Sequence, residues 1–123
     1  MILVDTSVWV DHLRSGEPRL QSLLQNSQIL AHPFVVGELA LGQIKQRKIL
    51  LHDLRLLPQA TISQDDEVLH FISQHSLFGL GIGYIDAHLL ASVLLTPGTQ
   101  LWTRDKRLLT VAERLSLAFT PRP

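Results

Sequence analysis

The chain has 123 residues, of which 46% are hydrophobic and 18% are charged. This length suffices for one buried core and is too short for two ordinary domains, so we expect a single domain over residues 1–123. Eleven basic and eleven acidic residues give a formal net charge of zero, which excludes an overall positive field that would attract a nucleic acid. Cysteine is absent, which excludes disulfides, thiolate metal sites and cysteine nucleophiles.

The first residues do not have the pattern of a signal peptide. There is no basic region before the apolar run, and Asp5 interrupts that run after four residues. No apolar segment approaches the length that spans a bilayer. We therefore expect a soluble, cytoplasmic protein with no membrane partner.

Short apolar runs alternate with segments of helical periodicity, which predicts an α/β fold. The predicted strands cover residues 2–5, 28–31, 61–62, 100–103 and 117–119. The predicted helices cover residues 7–14, 18–26, 33–46, 50–57, 63–74, 84–95 and 106–115. Strands that alternate with helices indicate a mostly parallel sheet with right-handed crossovers and helices on both faces.

Four acidic residues stand at or inside apolar segments: Asp5, Glu38, Asp86 and Asp105. A carboxylate in a partly dry site must be paired, neutralised or bound to a metal. If strands 2–5 and 100–103 are neighbours, Asp5 and Asp105 meet at one edge of the sheet, because ligands of such sheets bind beyond the carboxyl ends of the strands. Glu38 and Asp86, near the starts of their helices, can face the same crevice.

Each aspartate also has a purely structural interpretation. Asp86 and Asp105 suit the first turn or the N-cap of a helix, and Asp5 can form an Asx turn with the residues that follow it. Glu38 has no capping role inside an apolar helix face, and it therefore favours a functional site. Thr103, like the threonine after Asp5, can donate to a carboxylate or a phosphate, or can satisfy only the backbone.

Four motifs around these acids follow one another along the chain, at residues 3–8, 36–39, 81–91 and 101–108. Together they resemble the motifs of PIN-domain ribonucleases, in particular the VapC-type toxins of toxin–antitoxin pairs. The resemblance implies a three-layer α/β/α PIN-like domain with a short, mostly parallel central sheet. It also implies RNA cleavage that depends on Mg²⁺ or Mn²⁺, a homodimer, and inhibition by a cognate antitoxin.

The resemblance also implies roles for the four acids. Asp5 and Asp86 are expected as direct metal ligands, Asp105 as a direct or water-mediated ligand, and Glu38 as the group that orients or deprotonates the attacking water. The products are expected to carry a 5′-phosphate. Family members often have a further acidic or polar residue after the last aspartate, whereas Lys106 and the two residues after it stand here.

Basic residues near the motifs are candidates for holding the RNA backbone, although each can also belong to a solvated helix face. These residues are Arg14, Lys45, Arg47, Lys48, Arg104, Lys106 and Arg107. Trp9 and Trp102 can stack a base but are expected in the core, and His12 and His88 are expected as polar surface or as neighbours of the metal ligands.

The apolar run 49–57 is either ordinary core or a surface for an antitoxin or a second copy of the chain. A non-catalytic module that binds RNA or an antitoxin is the alternative function. It predicts binding without metal-dependent cleavage.

Overall fold

The computed structural model describes residues 1–121 and is built around a short parallel sheet. The strands β1 (Ile2–Val4), β2 (Ile29–Leu30) and β3 (Gln100–Trp102) are arranged in the order β2-β1-β3. The register places Leu3 opposite both Leu30 and Leu101. The chain extends the sheet first to one side of β1 and later to the other, so the strand order reverses at β1.

Helices cover both faces of this sheet, as predicted for a three-layer α/β/α domain. The helices of the described residues are α1 (Thr6–Ser15), α2 (Pro18–Gln25), α3 (Pro33–Ala40), α4 (Arg47–Leu56), α5 (Asp65–Gln74), α6 (Tyr84–Leu95) and α7 (Lys106–Arg114). None of them is long and apolar enough to cross a membrane.

The core lies between the sheet and α6. Leu3, Leu89, Leu90 and Leu101 have no exposed surface. Residues 87–93 of α6 are all buried, because this helix packs against both α5 and β3. A helix that is apolar on most of its faces must be surrounded in this way. The start of α6 is thereby held rigidly beside the ends of the strands.

Three predicted elements differ from the structure. The predicted helix 33–46 stops at Ala40, because the sequence continues into a turn at Gly42 and Gln46 adopts a left-handed conformation with φ of 54°. The predicted strand 61–62 is displaced, since the single parallel pairing in this region joins Ala31 to Gln59. The predicted strand 117–119 is reduced to one bridge, which joins Leu101 to Ala118.

Candidate active site

The ends of β1 and β3 bring the first and last candidate acids together. The Asp5 backbone N–H donates to the carbonyl of Trp102 at 2.9 Å. The Thr103 hydroxyl donates to Asp5 Oδ2 at 2.8 Å and accepts from the Asp105 backbone N–H at 3.1 Å. The predicted neighbourhood of the two strands is confirmed, and one buried hydroxyl connects both aspartates.

Two hydroxyls of α1 hold carboxylates as well. The Thr6 hydroxyl donates to Glu38 Oε1 at 2.8 Å, and the Ser7 hydroxyl donates to Asp5 Oδ2 at 2.8 Å. Of the roles left open for the threonines of these motifs, the structure shows hydrogen bonds to carboxylates. Ser7, two positions after Asp5, is a further donor that is not predicted from the sequence. The alternative Asx turn does not form, because Asp5 accepts from side-chain hydroxyls and caps no backbone N–H of α1.

Asp86 lies in the first turn of α6, where its Oδ2 accepts from the Gly83 backbone N–H at 2.9 Å. Burial raises the pKa of Asp86, the bond from Gly83 opposes this, and the negative charges of Asp5, Asp105 and Glu38 raise the pKa further. The other three candidate acids therefore lie within electrostatic range of Asp86.

Asp105 is the N-cap of α7, as its structural interpretation predicted. Its Oδ1 accepts from the backbone N–H groups of Arg107 at 2.9 Å and Leu108 at 3.1 Å. The cap engages only one of the two carboxylate oxygens. Capping and metal binding are thus compatible at this residue.

Asp5, Glu38 and Asp86, like Asp105, each accept hydrogen bonds at one carboxylate oxygen. Within residues 1–121, hydrogen bonds reach Asp5 at Oδ2, Glu38 at Oε1, Asp86 at Oδ2 and Asp105 at Oδ1, and none reaches their second oxygens. Hard divalent cations prefer such oxygens. In this side-chain arrangement, however, no three acidic or histidine residues of the described chain are close enough to hold one ion together.

Arg104, one of the candidates for holding the RNA backbone, is bonded to two acidic side chains of the protein. Its guanidinium donates to Asp11 Oδ2 at 2.7 Å and also to Glu17, and it lies 5.9 Å from the ring centroid of Trp102. The bond to Asp11 is the main cause of the raised pKa of Arg104. Two carboxylates therefore neutralise this cation, and it ties the turn after β3 to α1 and the start of α2.

The aromatic candidates are mostly core residues. Trp9 and Trp102 are buried, as expected. His88 is not polar surface, because only 2% of it is exposed and its Nε2 lies 3.2 Å from Asp65 Oδ1. His12 Nδ1 accepts from the Glu17 backbone N–H at 3.0 Å, so it holds the turn between α1 and α2.

Comparison with known proteins agrees with this geometry. The family model "PIN domain" matches residues 2–114. Ribonuclease VapC32, from two strains of Mycobacterium tuberculosis, is 52% identical over 108 residues, which cover 88% of this chain and 87% of the relative. The crystal structure of FitAcB from Neisseria gonorrhoeae shares the fold, with a TM-score of 0.58, 21% identity, and coverage of 92% of this chain and 94% of that one. The chain therefore belongs to the PIN-domain family and, by its similarity to VapC32, to the VapC-type proteins within it.

Proposed function

We propose that the chain is an endoribonuclease that hydrolyses RNA phosphodiester bonds with a divalent metal ion, and that it acts in the cytoplasm as the toxin of a toxin–antitoxin pair. The observation that carries this proposal is the pairing of β1 with β3, which brings Asp5 and Asp105 to one edge of the sheet, each with one carboxylate oxygen that no residue of 1–121 engages. The similarity to a relative named as a ribonuclease supports RNA as the substrate.

The donor set fits Mg²⁺ or Mn²⁺. The second oxygens of Asp5, Asp86 and Asp105 would hold the ion, with waters completing its shell. When bound, the ion lowers the pKa of a water and stabilises charge on the phosphate. A cation would also relieve the repulsion that raises the pKa of Asp86.

We assign to Glu38 the role of accepting the proton of the attacking water. The Thr6 hydroxyl fixes one of its oxygens and leaves the exposed Oε2 to accept that proton. The water oxygen then bonds to phosphorus while the bond to the 3′ oxygen breaks, and the leaving oxygen takes a proton from solvent. The products carry a 5′-phosphate and a 3′-hydroxyl.

The test compares wild type with Asp5→Asn on total RNA, with Mn²⁺ or with chelator, and maps the new 5′ ends. The exchange removes charge at nearly constant shape, and we expect cleavage to fall by on the order of a hundred-fold or more. Asp53→Asn, an exposed change on α4, is the control and should cleave like wild type. Mn²⁺ should also raise the melting temperature of wild type more than that of Asp5→Asn.

One result would contradict the proposal. Full Mn²⁺-dependent cleavage by pure Asp5→Asn would remove Asp5 from the site. The alternative is a non-catalytic module that binds RNA or an antitoxin, and the separation of the acidic side chains favours it. RNA binding by wild type without any new 5′ ends, in Mn²⁺, would establish that alternative.

Helix α4 is the surface that we propose for a protein partner. Ile49 is 58% exposed and Leu56 is 71% exposed, so the apolar run 49–57 is surface at both ends. Leu54 is buried and belongs to the core, which excludes it as a contact residue. An amphipathic antitoxin segment fits such a face, and a homodimer would cover another part of the surface.

A further inference from the structure

A cavity of about 300 Å³ lies between the loop 77–83 and the start of α7. Its lining residues are Leu80, Lys106, Arg107, Thr110, Val111 and Arg114. Two of them are apolar and three are cationic. This volume is at the lower end of the range for small-molecule sites and suits a single nucleotide.

The cations of this cavity have no acidic partner. Within residues 1–121, the ion pairs of the structure involve only His88 and Arg104. Arg114 donates to the carbonyl of His75 at 2.7 Å, a bond that fixes its position and leaves its charge uncompensated. The exposed Glu113 is the next acid along α7 and does not line the cavity. A concave wall with excess positive charge attracts an anion.

The Arg107 side chain passes close to the backbone of the loop. Gly81 has a left-handed φ of +80°, and a Cβ atom there would lie 2.8 Å from Arg107 Cδ and 2.9 Å from Nη1. The arginine side chain therefore lies against the bare main chain of a glycine, and a larger residue at this position would meet it.

Both sides of the cavity lead to backbone groups that contact candidate acids. On one side, the backbone N–H of Arg107 donates to Asp105 Oδ1. On the other, the loop that carries Gly81 also carries Gly83, whose N–H donates to Asp86. The elements that line the cavity therefore also hold two of the proposed metal ligands.

We propose that this cavity is an RNA subsite, in which Arg107 and Arg114 bind a phosphate next to the scissile one and Leu80 packs against the attached nucleoside. The subsite rests on the proposed function, because it takes RNA as the ligand. Arginine suits this role, since its planar fork matches phosphate oxygens. Such a contact positions the strand without reading the base.

The test measures binding apart from cleavage. A fluorescein-labelled single-stranded RNA is titrated into Asp5→Asn protein in chelator at several salt concentrations, and anisotropy gives the dissociation constant. Adding Arg107→Gln should weaken binding roughly tenfold. It should also reduce the slope of log affinity against log salt by about 0.7, the value for one lost phosphate contact on a single strand. Arg107→Lys keeps the charge and should keep most of the slope.

The control is Arg19→Gln, which removes the same charge from an exposed position on α2 and should change neither quantity. An Arg107→Gln protein that melts normally yet binds RNA with unchanged affinity and slope overturns the subsite, whatever wild type cleaves. If wild type cleaves no RNA while Arg107→Gln still lowers affinity and slope, the subsite stands and the hydrolase proposal fails.

Discussion

Thr103 is the residue that joins the two strand-end aspartates. It is buried, and its single hydroxyl serves Asp5 as a donor and the Asp105 backbone as an acceptor. Buried polar groups of this kind are costly to orphan. A threonine at the end of a strand therefore contributes both to the stability of the fold and to the position of the carboxylates.

Thr103→Val should lower stability and activity together. The exchange keeps the shape but leaves the part-buried N–H of Asp105 without its acceptor and removes a donor to the buried Asp5, so we expect a loss of about 1–3 kcal/mol in the free energy of unfolding. The cleavage rate should fall through kcat, because Asp5 loses a positioning bond. Urea denaturation and cleavage kinetics provide the measurements. Thr103→Ser retains the hydroxyl and should recover most of both losses; a Val variant with wild-type values would deny Thr103 this role.

The raised pKa of Asp86 makes the stability of the metal-free protein depend on pH. The folded-state pKa of this residue is raised above the ordinary value of 3.8, mainly by burial. Between these two values the folded state binds more protons than the unfolded state, so the free energy of unfolding falls as pH rises through that window. Asp86→Asn lacks this dependence and should gain stability relative to wild type as pH increases. Urea denaturation in chelator at a series of pH values checks this, and parallel profiles for the two proteins would contradict it.

At the scale of elements, the sequence correctly predicted the features that follow from local residue pattern and from the parallel arrangement of the strands. The position of Asp5 and Asp105 at one edge followed because parallel strands end on the same side. The end of α3 did not follow, because apolar periodicity continues to Ile44 while the chain has already turned. The pairing of Arg104 with Asp11 spans 93 residues, and no local pattern encodes such a contact.

The loop 77–83 contains two glycines that make a matched pair of test positions. Gly79 and Gly81 have φ of +74° and +80°, but only Gly81 has a side chain where its Cβ would be. Changing either to alanine should cost about 1 kcal/mol for the left-handed backbone. Gly81→Ala should additionally displace Arg107 and weaken RNA binding. Thermal melts and RNA anisotropy of both variants distinguish these effects; equal RNA affinities would show that Gly81 does not seat the arginine.

At the scale of the whole molecule, the ends of β1 and β3 carry two of the candidate acids, and α4 presents apolar surface. Leu56→Glu should weaken association with the antitoxin by at least tenfold and leave RNA cleavage unchanged, because Leu56 is exposed and takes part in none of the hydrogen bonds to the four acids. Isothermal titration calorimetry measures the affinity for the antitoxin, and cleavage assays measure the activity on RNA. Leu69→Glu, an equally apolar change at an exposed position of α5, is the control. Unchanged antitoxin affinity in a folded Leu56→Glu protein would place the partner on another face.

The bond between Thr103 and Asp5 joins residues that are 98 positions apart. During synthesis the first strand leaves the ribosome long before the last one, at about 5–20 residues per second. Asp5 is then present without Thr103, since β3 and the cap of α7 have not yet been synthesised. The order of synthesis thus delays the joining of the two strand ends, and an incomplete nascent chain beside the ribosomal RNA lacks the assembled set of acids that we propose for catalysis.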